Sequence, residues 1–197
     1  MTDLGQNFLI EPEICKKIVQ KLNISEKDGV LEIGAGLGSL SFYLADTPAS
    51  ITLIDIDERM LMVLNEHFEK QDNVIVKRQN VLKDDLSKYN KIIGNLPYYI
   101  TSSIIEKILL DGVNAETIVL MTQKEVYPKL LANNKSPLSI FLNYVSSISE
   151  AMNVSRNNFA PVPHVDSVVF TLTPNSNIKD ENNKDLYRLM KQMFLLR

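Results

Sequence analysis

Apolar and polar residues alternate along most of the chain in two recurring patterns. Short apolar runs bounded by glycine or charged residues predict buried strands, and longer segments with apolar residues three or four apart predict amphipathic helices. The predicted strands are Gly29–Gly34, Ile51–Ile54, Val74–Val76, Lys91–Gly94 and Thr117–Met121, with two late strands at Glu150–Val154 and Ser167–Leu172. The predicted helices are Glu11–Leu22, Leu37–Ala45, Glu58–Phe68, Ser103–Leu110, Lys124–Leu131 and Leu138–Val145.

Strands that alternate with helices predict an α/β fold with an open, mostly parallel sheet of seven strands and helices on both faces. The two late strands are joined by a short connection, which predicts one antiparallel strand at an edge. Ligands of such sheets bind at the carboxyl ends of the strands, near the point where the strand order reverses. The loops that follow the strands are therefore the first places to search for a site.

Three parts of the chain differ in composition. Residues 1–174 contain the strand and helix pattern and form the predicted α/β domain. Asn175–Asp185 is rich in asparagine and charge and poor in apolar residues, which predicts a linker. Leu186–Arg197 then has apolar residues at helical spacing, and the chain ends within that pattern. This suggests the beginning of a second, helical domain that is cut short.

The composition, 45% hydrophobic and 23% charged, is that of an ordinary globular protein. No apolar run is long enough for a membrane span, and the N-terminus lacks the features of a signal peptide. Cys15 is the only cysteine, which fits a reducing compartment. The net charge of −3 argues against binding nucleic acid by bulk electrostatics, although it permits a local basic face. We expect a cytoplasmic monomer. We also expect no metal site, because His67 and His164 match no metal or triad pattern.

A glycine-rich stretch, Glu32–Gly38, lies between the first strand and the following helix. Its glycines allow backbone N–H groups to approach a ligand at a helix N-terminus. Asp55 ends the next strand, 19 residues beyond Gly36, where a carboxylate can accept both hydroxyls of a ribose. The stretch reads E-x-G-x-G-x-G, which suits an adenosine-type ligand without a pyrophosphate, and S-adenosylmethionine fits. The alternative is a tight strand–helix turn that binds nothing.

Two further strand ends carry groups suited to a base. Asn80 follows the third strand, where an adenine amino group would be recognised, although Asn80 is equally explained as a turn residue. The stretch Asn95–Tyr99 follows the fourth strand and combines an amide, a rigid turn and two aromatic rings. Such a combination can bind a flat ring that carries an amino group, and its alternative is a simple strand-ending turn. We interpret Tyr99 as a packing residue.

Asn95–Tyr98 is similar to the [N/D]-P-P-[Y/F] signature of methyltransferases that act on exocyclic amino groups. The whole chain resembles the ribosomal RNA adenine N6,N6-dimethyltransferases of the KsgA type. Five blocks in the same order carry this resemblance: Gly5–Leu9, Leu31–Gly38, Asn95–Ile100, Gln123–Val126 and Phe159–Ser167. Together they span nearly the whole chain.

This resemblance implies a Rossmann-like class I S-adenosylmethionine-dependent methyltransferase. The implied reaction is the transfer of two methyl groups to each of two adjacent adenosines near the 3′ end of small-subunit (16S) rRNA, so the partner is the immature small ribosomal subunit. One alternative is the related large-subunit (23S) rRNA methyltransferase that confers macrolide resistance. The other is a non-catalytic RNA-binding relative, against which the intact Asn95–Tyr98 turn argues.

The resemblance also implies the roles of individual residues. The implied cofactor-binding residues are Gln6, Asn7, Leu9, Glu32, Gly34, Gly36, Asp55, Ile56, Asn80, Val81 and Asn95. The implied catalytic residues are Asn95, Leu96, Pro97, Tyr98 and Phe159, of which Tyr98 and Phe159 would enclose the target base. The family usually has Asp at position 80 and Glu at position 55. We expect the neutral Asn80 to weaken cofactor binding several-fold, because charge-assisted hydrogen bonds are the stronger ones.

Four lysines keep two interpretations each. Lys16, Lys17 and Lys21 of the first helix face either RNA or solvent. Lys124 belongs to a family block, but it is equally explained by pairing with Glu125 or another acid.

Overall fold

A computed structural model describes residues 7–132 and 136–196 of the chain. In chain order its strands and helices are β1 (Phe8–Leu9), α1 (Pro12–Gln20), β2 (Gly29–Ile33), α2 (Ser41–Ala45), β3 (Ser50–Asp55), α3 (Glu58–Phe68), β4 (Val74–Arg78), β5 (Lys91–Asn95), α4 (Thr101–Asp111), β6 (Thr117–Gln123), α5 (Val126–Leu131), α6 (Pro137–Val145), β7 (Ser146–Val154), β8 (Phe159–Ala160), β9 (Ser167–Pro174) and α7 (Asn183–Leu195). Within the described ranges, each helix falls short of the length or apolar character needed to cross a bilayer.

Seven strands form one sheet in the order β4-β3-β2-β5-β6-β9-β7. The first five are mutually parallel, and β9 runs antiparallel to both β6 and β7. The predicted α/β fold, a mostly parallel sheet of seven strands with one antiparallel strand, is therefore confirmed. The antiparallel strand lies second from the edge, with β7 outside it. The strand order reverses between β2 and β5, which is where ligands of such sheets bind.

Alternating side chains of the strands build a core on each face of the sheet. Leu31 and Ile92 point into one apolar cluster, which α4, α5, α6 and α7 cover. Their neighbours Val30 and Ile93 point into the other cluster, which α1, α2 and α3 cover. Runs of consecutive apolar residues are expected in strands that are buried on both faces, so the apolar pattern led directly to this architecture.

A second sheet of two strands was not predicted. β1 pairs antiparallel with β8, with Leu9 opposite Phe159, and the N–H of Ile10 donates to the carbonyl of Asn158 at 2.8 Å. Two-residue strands are too short to show any periodicity. The pairing brings the N-terminal block beside the late loop and fixes Asn7 and Phe8 at the carboxyl side of the main sheet.

Polar side chains tie together the amino ends of β2 and β5. The Asn90 amide donates to Asp28 at 2.6 Å, and its oxygen accepts the N–H of Gly29 at 2.8 Å. Asp28 also accepts the N–H of Ser25 at 2.7 Å. The buried Lys91 ammonium lies 3.2 Å from the hydroxyl of Thr117. These groups therefore form hydrogen bonds within the protein, with neighbouring side chains and with the backbone.

The segment predicted as a linker is a folded connection. Ile178 is buried in the core, and the side-chain amides of Asn175 and Asn177 each donate to the carbonyl of Tyr144 at 3.0 Å. Asn183, assigned to the linker, is instead the first residue of α7 and is buried. The asparagine-rich composition predicted a linker, and the amides of Asn175 and Asn177 anchor this segment to α6.

α7 packs against the α/β domain through one face. Tyr187 is buried, its ring centroid lies 5.0 Å from that of Phe141, and its hydroxyl donates to Glu106 at 3.2 Å. Lys191 pairs with the same Glu106 at 2.7 Å. Burial, assisted by the negative charge of Glu106, raises the pKa of Tyr187 above its ordinary range.

Candidate active site

A cavity of about 320 Å³ opens at the carboxyl ends of β2, β3 and β5. The predicted site residues that line it are Asn7, Leu9, Glu32, Gly34, Gly36, Asp55, Ile56, Asn80, Val81, Asn95, Leu96, Pro97 and Tyr98. Gln6 lies outside the described residues. One cavity at the switch point of the sheet therefore brings together residues from five separate loops and strand ends.

The glycine-rich loop is shaped by left-handed backbone conformations, with φ of 68° at Gly34 and 56° at Gly36. A Cβ at Gly36 would lie 3.0 Å from the ring of Phe8. The loop thus needs glycine for both conformation and space. Phe8 is a lining residue that sequence analysis did not single out, although it lies within the first family block.

Asp55 holds this loop against the end of β3. One carboxylate oxygen accepts the N–H of Gly36 and the other that of Asp57, both at 2.9 Å. The side chain is buried but still lines the cavity. Because each carboxylate oxygen has two lone pairs, both can accept a further hydrogen bond from a ligand hydroxyl.

Glu32 is a carboxyl group buried beneath the loop. The Ser41 hydroxyl donates to its Oε2 at 2.6 Å. Burial raises the pKa of Glu32 to about 8, the Ser41 hydrogen bond offsets part of this effect, and the charge of Asp55 adds to it. Glu32 is therefore neutral near pH 7 unless a cation is placed beside it. No sequence signal pointed to Ser41 as its partner.

Asn80 caps a turn and lies at the cavity. Its Oδ1 accepts the N–H of Leu82 at 3.0 Å and so caps the short 3₁₀ turn Val81–Lys83. The same side chain is exposed at the cavity. Ile56, 46% exposed, and the buried Val81 supply apolar surface nearby, which suits a flat aromatic ring.

The turn after β5 fixes Asn95 in a defined orientation. Its Nδ2 donates to the carbonyl of Asn7 at 3.2 Å, which leaves Oδ1 as the amide atom able to accept from a ligand. The next N–H, of Leu96, donates to Met121 at 2.9 Å. A Cβ at Gly94 would lie 2.7 Å from the carbonyl of Ile33, so this strand end tolerates only glycine.

The two tyrosines of the turn differ in exposure. Tyr98 is half-buried in the cavity, whereas Tyr99 is 64% exposed and lies at its rim. The interpretation of Tyr99 as a packing residue is wrong. A 3₁₀ turn over Tyr98–Ile100 directs consecutive side chains about 120° apart, so the two rings cannot share one buried face.

The prediction that Phe159 closes the other face of a bound base is wrong. Its side chain is 1% exposed, belongs to the core beneath α1, and does not line the cavity. Pairing with Leu9 in the small sheet turns Phe159 inward. Sequence alone could not reveal this burial, because the partner strand lies at the other end of the domain.

Other singled-out residues make ordinary contacts. Burial raises the pKa of the Cys15 thiol to about 11. His67 packs edge-on against Phe42 at 5.1 Å, and Lys16 pairs with Glu13 at 3.7 Å. Within residues 7–132 and 136–196, Lys124 makes no ion pair within 4 Å, and His, Cys, Asp and Glu form no group suited to a metal.

Several known proteins are similar to this chain in sequence and fold. A family model described as ribosomal RNA adenine dimethylase matches residues 1–197. A ribosomal RNA small subunit methyltransferase A of Enterococcus faecalis is 37% identical, and the match covers 98% of this chain and 71% of that protein. A solved dimethyladenosine transferase from Plasmodium falciparum superposes with a TM-score of 0.83 at 33% identity, covering 93% and 69% of the two chains. The 23S rRNA methyltransferase ErmE has a TM-score of 0.79 at 27% identity, covering 96% and 79%.

Proposed function

The chain belongs to the ribosomal RNA adenine dimethylase family, and we propose that it uses S-adenosylmethionine to dimethylate N6 of two adjacent adenosines near the 3′ end of small-subunit rRNA. The observation that carries this proposal is the convergence of the glycine-rich loop, Asp55 and the Asn95–Tyr98 turn on one cavity. In such a site a methyl donor and an exocyclic amine can meet.

The residues present fit S-adenosylmethionine. The left-handed backbone of Gly34 and Gly36 shapes the loop at the cavity, and the missing Cβ of Gly36 leaves room for the ring of Phe8, which also lines the cavity. Asp55 offers lone pairs to ribose hydroxyls, and Glu32 offers a buried carboxyl group to an ammonium. Ile56 and Val81 flank the place for adenine, with Asn80 at its amino edge. When bound, this cofactor supplies an electrophilic methyl group on a sulfonium.

The Asn95 turn prepares the acceptor. The N6 lone pair of adenine is delocalised into the ring, so a site must favour a more tetrahedral nitrogen. Oδ1 of Asn95 and the backbone carbonyl of Leu96 can accept the two N6 hydrogens, and Pro97, at φ −65°, fixes the turn that presents them. Tyr98 stacks on the base, which contributes about 1–3 kcal/mol.

Orientation supplies most of the acceleration in this proposal. No strong base is required, because the methylated amine is acidic and its proton leaves to water. The target base must first be turned out of its stack. For the second methyl group one N6 hydrogen is already replaced, so the pocket must tolerate a methyl where a hydrogen bond was.

The small-subunit substrate is favoured over the large-subunit alternative by sequence. The Enterococcus small-subunit methyltransferase is 37% identical to this chain, against 27% for ErmE. Leu96, Tyr99 and the Val165–Ser167 block also look more like the small-subunit group. The proposed partner is the immature small ribosomal subunit, which the enzyme meets as a monomer in the cytoplasm.

A methyl-transfer assay tests the proposal. The chain is incubated with labelled S-adenosylmethionine and either immature small subunits or free large-subunit rRNA, and primer extension locates dimethyladenosine. We expect label at adjacent adenosines of the small subunit only. Labelling of large-subunit rRNA alone would support the macrolide-resistance relative instead. No labelling of either RNA, with cofactor binding intact, would support the non-catalytic relative.

A further inference from the structure

Tyr99 is an exposed aromatic ring that contacts no other ring within the described part of the chain. Three phenylalanine or tyrosine side chains of the described residues are exposed: Phe42, Tyr99 and Tyr144. Phe42 contacts two other rings and Tyr144 contacts Phe141, whereas Tyr99, the most exposed at 64%, contacts none. It is also the one of the three that lines the cavity.

The turn that carries Tyr99 is held firmly. The N–H of Ile100 and the hydroxyl of Thr101 both donate to the carbonyl of Pro97, at 3.3 and 3.1 Å. At the start of the turn, the N–H of Leu96 donates to Met121. A ring with two rotatable bonds on a fixed backbone loses little conformational entropy when a ligand covers it. Tyr99 is therefore a prepared binding surface, immediately next to the ring expected to hold the target base.

The substrate provides a partner for such a ring. This step rests on the proposed function, in which the two target adenosines are adjacent. Turning one adenosine into the cavity breaks its stacking on the other, and the neighbouring base then has an uncovered face. An aromatic side chain at the rim restores that stack, as in single-strand nucleic-acid binding.

We propose that Tyr99 is a positioning residue that stacks on the nucleotide next to the target adenosine, while Tyr98 stacks on the target. Two consecutive tyrosines, one half-buried and one exposed, then hold two consecutive bases. Because the RNA strand has a fixed polarity, this outer site takes the neighbour on one side of the target, whichever of the two adenosines is in the cavity. Apolar contact rather than hydrogen bonding dominates this outer site, so it accepts adenosine before or after its N6 is methylated.

Fluorescence reports this stacking directly. An RNA hairpin with two adjacent adenosines, one replaced by 2-aminopurine, is bound to the chain with S-adenosylhomocysteine. Stacking on a ring quenches 2-aminopurine, so we expect quenching with the wild-type chain and with Tyr99→Phe, and recovery of fluorescence with Tyr99→Leu. Tyr144→Leu removes an exposed ring outside the cavity and serves as the matched control.

Kinetics on immature small subunits gives a second measurement. Tyr99→Leu should raise KM for the RNA about tenfold, equivalent to about 1.4 kcal/mol, with kcat and the affinity for S-adenosylhomocysteine unchanged. Tyr99→Phe should restore KM. Unchanged KM and persistent quenching in Tyr99→Leu would overturn the proposal. Weaker cofactor binding in Tyr99→Leu would also overturn it, because the ring would then cover the cofactor. A wild-type chain that does not methylate small-subunit rRNA would instead refute the proposed function.

Discussion

The residue that precedes strand β5 and the residue that ends it are both asparagine, and the protein uses them in opposite ways. At the amino end, Asn90 spends both side-chain atoms inside the protein, on Asp28 and on the N–H of Gly29. At the carboxyl end, Asn95 uses Nδ2 to hold the carbonyl of Asn7 and keeps Oδ1 for a ligand. Asn90 therefore contributes to the stability of the sheet, whereas Asn95, five residues later, can also contact a ligand.

Ionisable groups at the two ends of the neighbouring strand β2 show the same contrast. Burial alone would raise the pKa of Asp28, but hydrogen bonds from Ser25 and Asn90 and the charge of Lys91 hold it below its ordinary value. Burial also dominates at Glu32, where one hydroxyl is too little to offset it and the pKa rises to about 8. At the amino end, hydrogen bonds and a positive charge stabilise the carboxylate of Asp28. At the carboxyl end, the carboxylate of Glu32 would require a nearby cation to be stabilised to the same degree.

The largest expected effect follows from changing Asn95. Asn95→Ala removes the acceptor for N6 and should lower kcat at least about 10²-fold, the range found when one oriented polar group is lost from an active site. Cofactor affinity should remain near that of the wild type, and the lost bond to Asn7 should cost only about 1 kcal/mol of unfolding free energy. Single-turnover methylation with calorimetric binding distinguishes these effects. Turnover close to that of the wild type would refute the hydrogen-bonding role.

The reverse result is expected for Asn90. Asn90→Ala removes two side-chain hydrogen bonds, one of them to a carboxylate, and should lower the free energy of unfolding by about 2–3 kcal/mol. Cofactor affinity and kcat, measured well below the unfolding temperature, should not change. Denaturant titration of Asn90→Ala beside Asn95→Ala completes the comparison. If both variants lost stability equally, the proposed division between the two strand ends would not hold.

The sequence was informative where one local pattern decides the structure. The apolar pairs of β2 and β5 predicted strands buried on both faces, and the glycines after β2 predicted a tight loop at which backbone N–H groups can approach a ligand. Cavity residues contributed by strand ends, such as Asp55 and Asn95, could be placed because parallel strands end at a common edge.

Where distant segments decide, the sequence was misleading. Phe159 resembled a wall of the site, yet its pairing with Leu9 across the domain buries it. The asparagine-rich segment 175–185 was predicted to be a linker, and the sequence did not reveal that Asn175 and Asn177 anchor it to α6. Tyr99 was interpreted as a packing residue, but its side chain is exposed. This exposure depends on how the turn is oriented against the sheet, which no periodic pattern in the sequence indicates.

Glu32 offers a pH-dependent way to sharpen the comparison. The folded protein holds the Glu32 proton up to about pH 8, whereas the unfolded chain releases it near pH 4.5. The unfolded state therefore binds fewer protons across this interval, so the unfolding free energy of the unliganded protein falls as pH rises through it. Glu32→Gln should remove this contribution, which thermal unfolding across the interval measures.

Ionisation of Glu32 should also affect cofactor affinity, which we expect to rise with pH, whereas the unfolding free energy falls. An ammonium beside Glu32 favours the carboxylate, so affinity for S-adenosylhomocysteine should rise with pH up to about 8, by at most tenfold per pH unit for one proton. Glu32→Gln should bind more weakly and lose the part of the pH dependence that arises from this residue. An identical pH profile in the variant would show that Glu32 does not meet the ammonium.

The smallest effect is expected at Asn80, and its direction is a gain. Asn80→Asp keeps the acceptor that caps Leu82, because aspartate is an equally good cap. If Asn80 accepts a hydrogen bond from the adenine amino group of the cofactor, as proposed, the substitution also makes that hydrogen bond charge-assisted. The difference of about 1 kcal/mol corresponds to roughly fivefold tighter binding of S-adenosylhomocysteine, reduced by solvent screening at this exposed position.

Asn175→Asp provides a control for the added charge, because Asn175 caps another short 3₁₀ turn, accepting the N–H of Asn177 at 2.9 Å, and does not line the cavity. This variant also loses the amide hydrogen bond to Tyr144, so thermal unfolding is used to verify that it is folded. It adds the same charge and should leave cofactor affinity unchanged. Calorimetry at low and high salt compares the two variants, and the gain for Asn80→Asp should shrink as salt rises. Equal or weaker binding by Asn80→Asp would mean that residue 80 acts in this chain only as the cap of its turn, with the adenine edge recognised by other groups of the cavity.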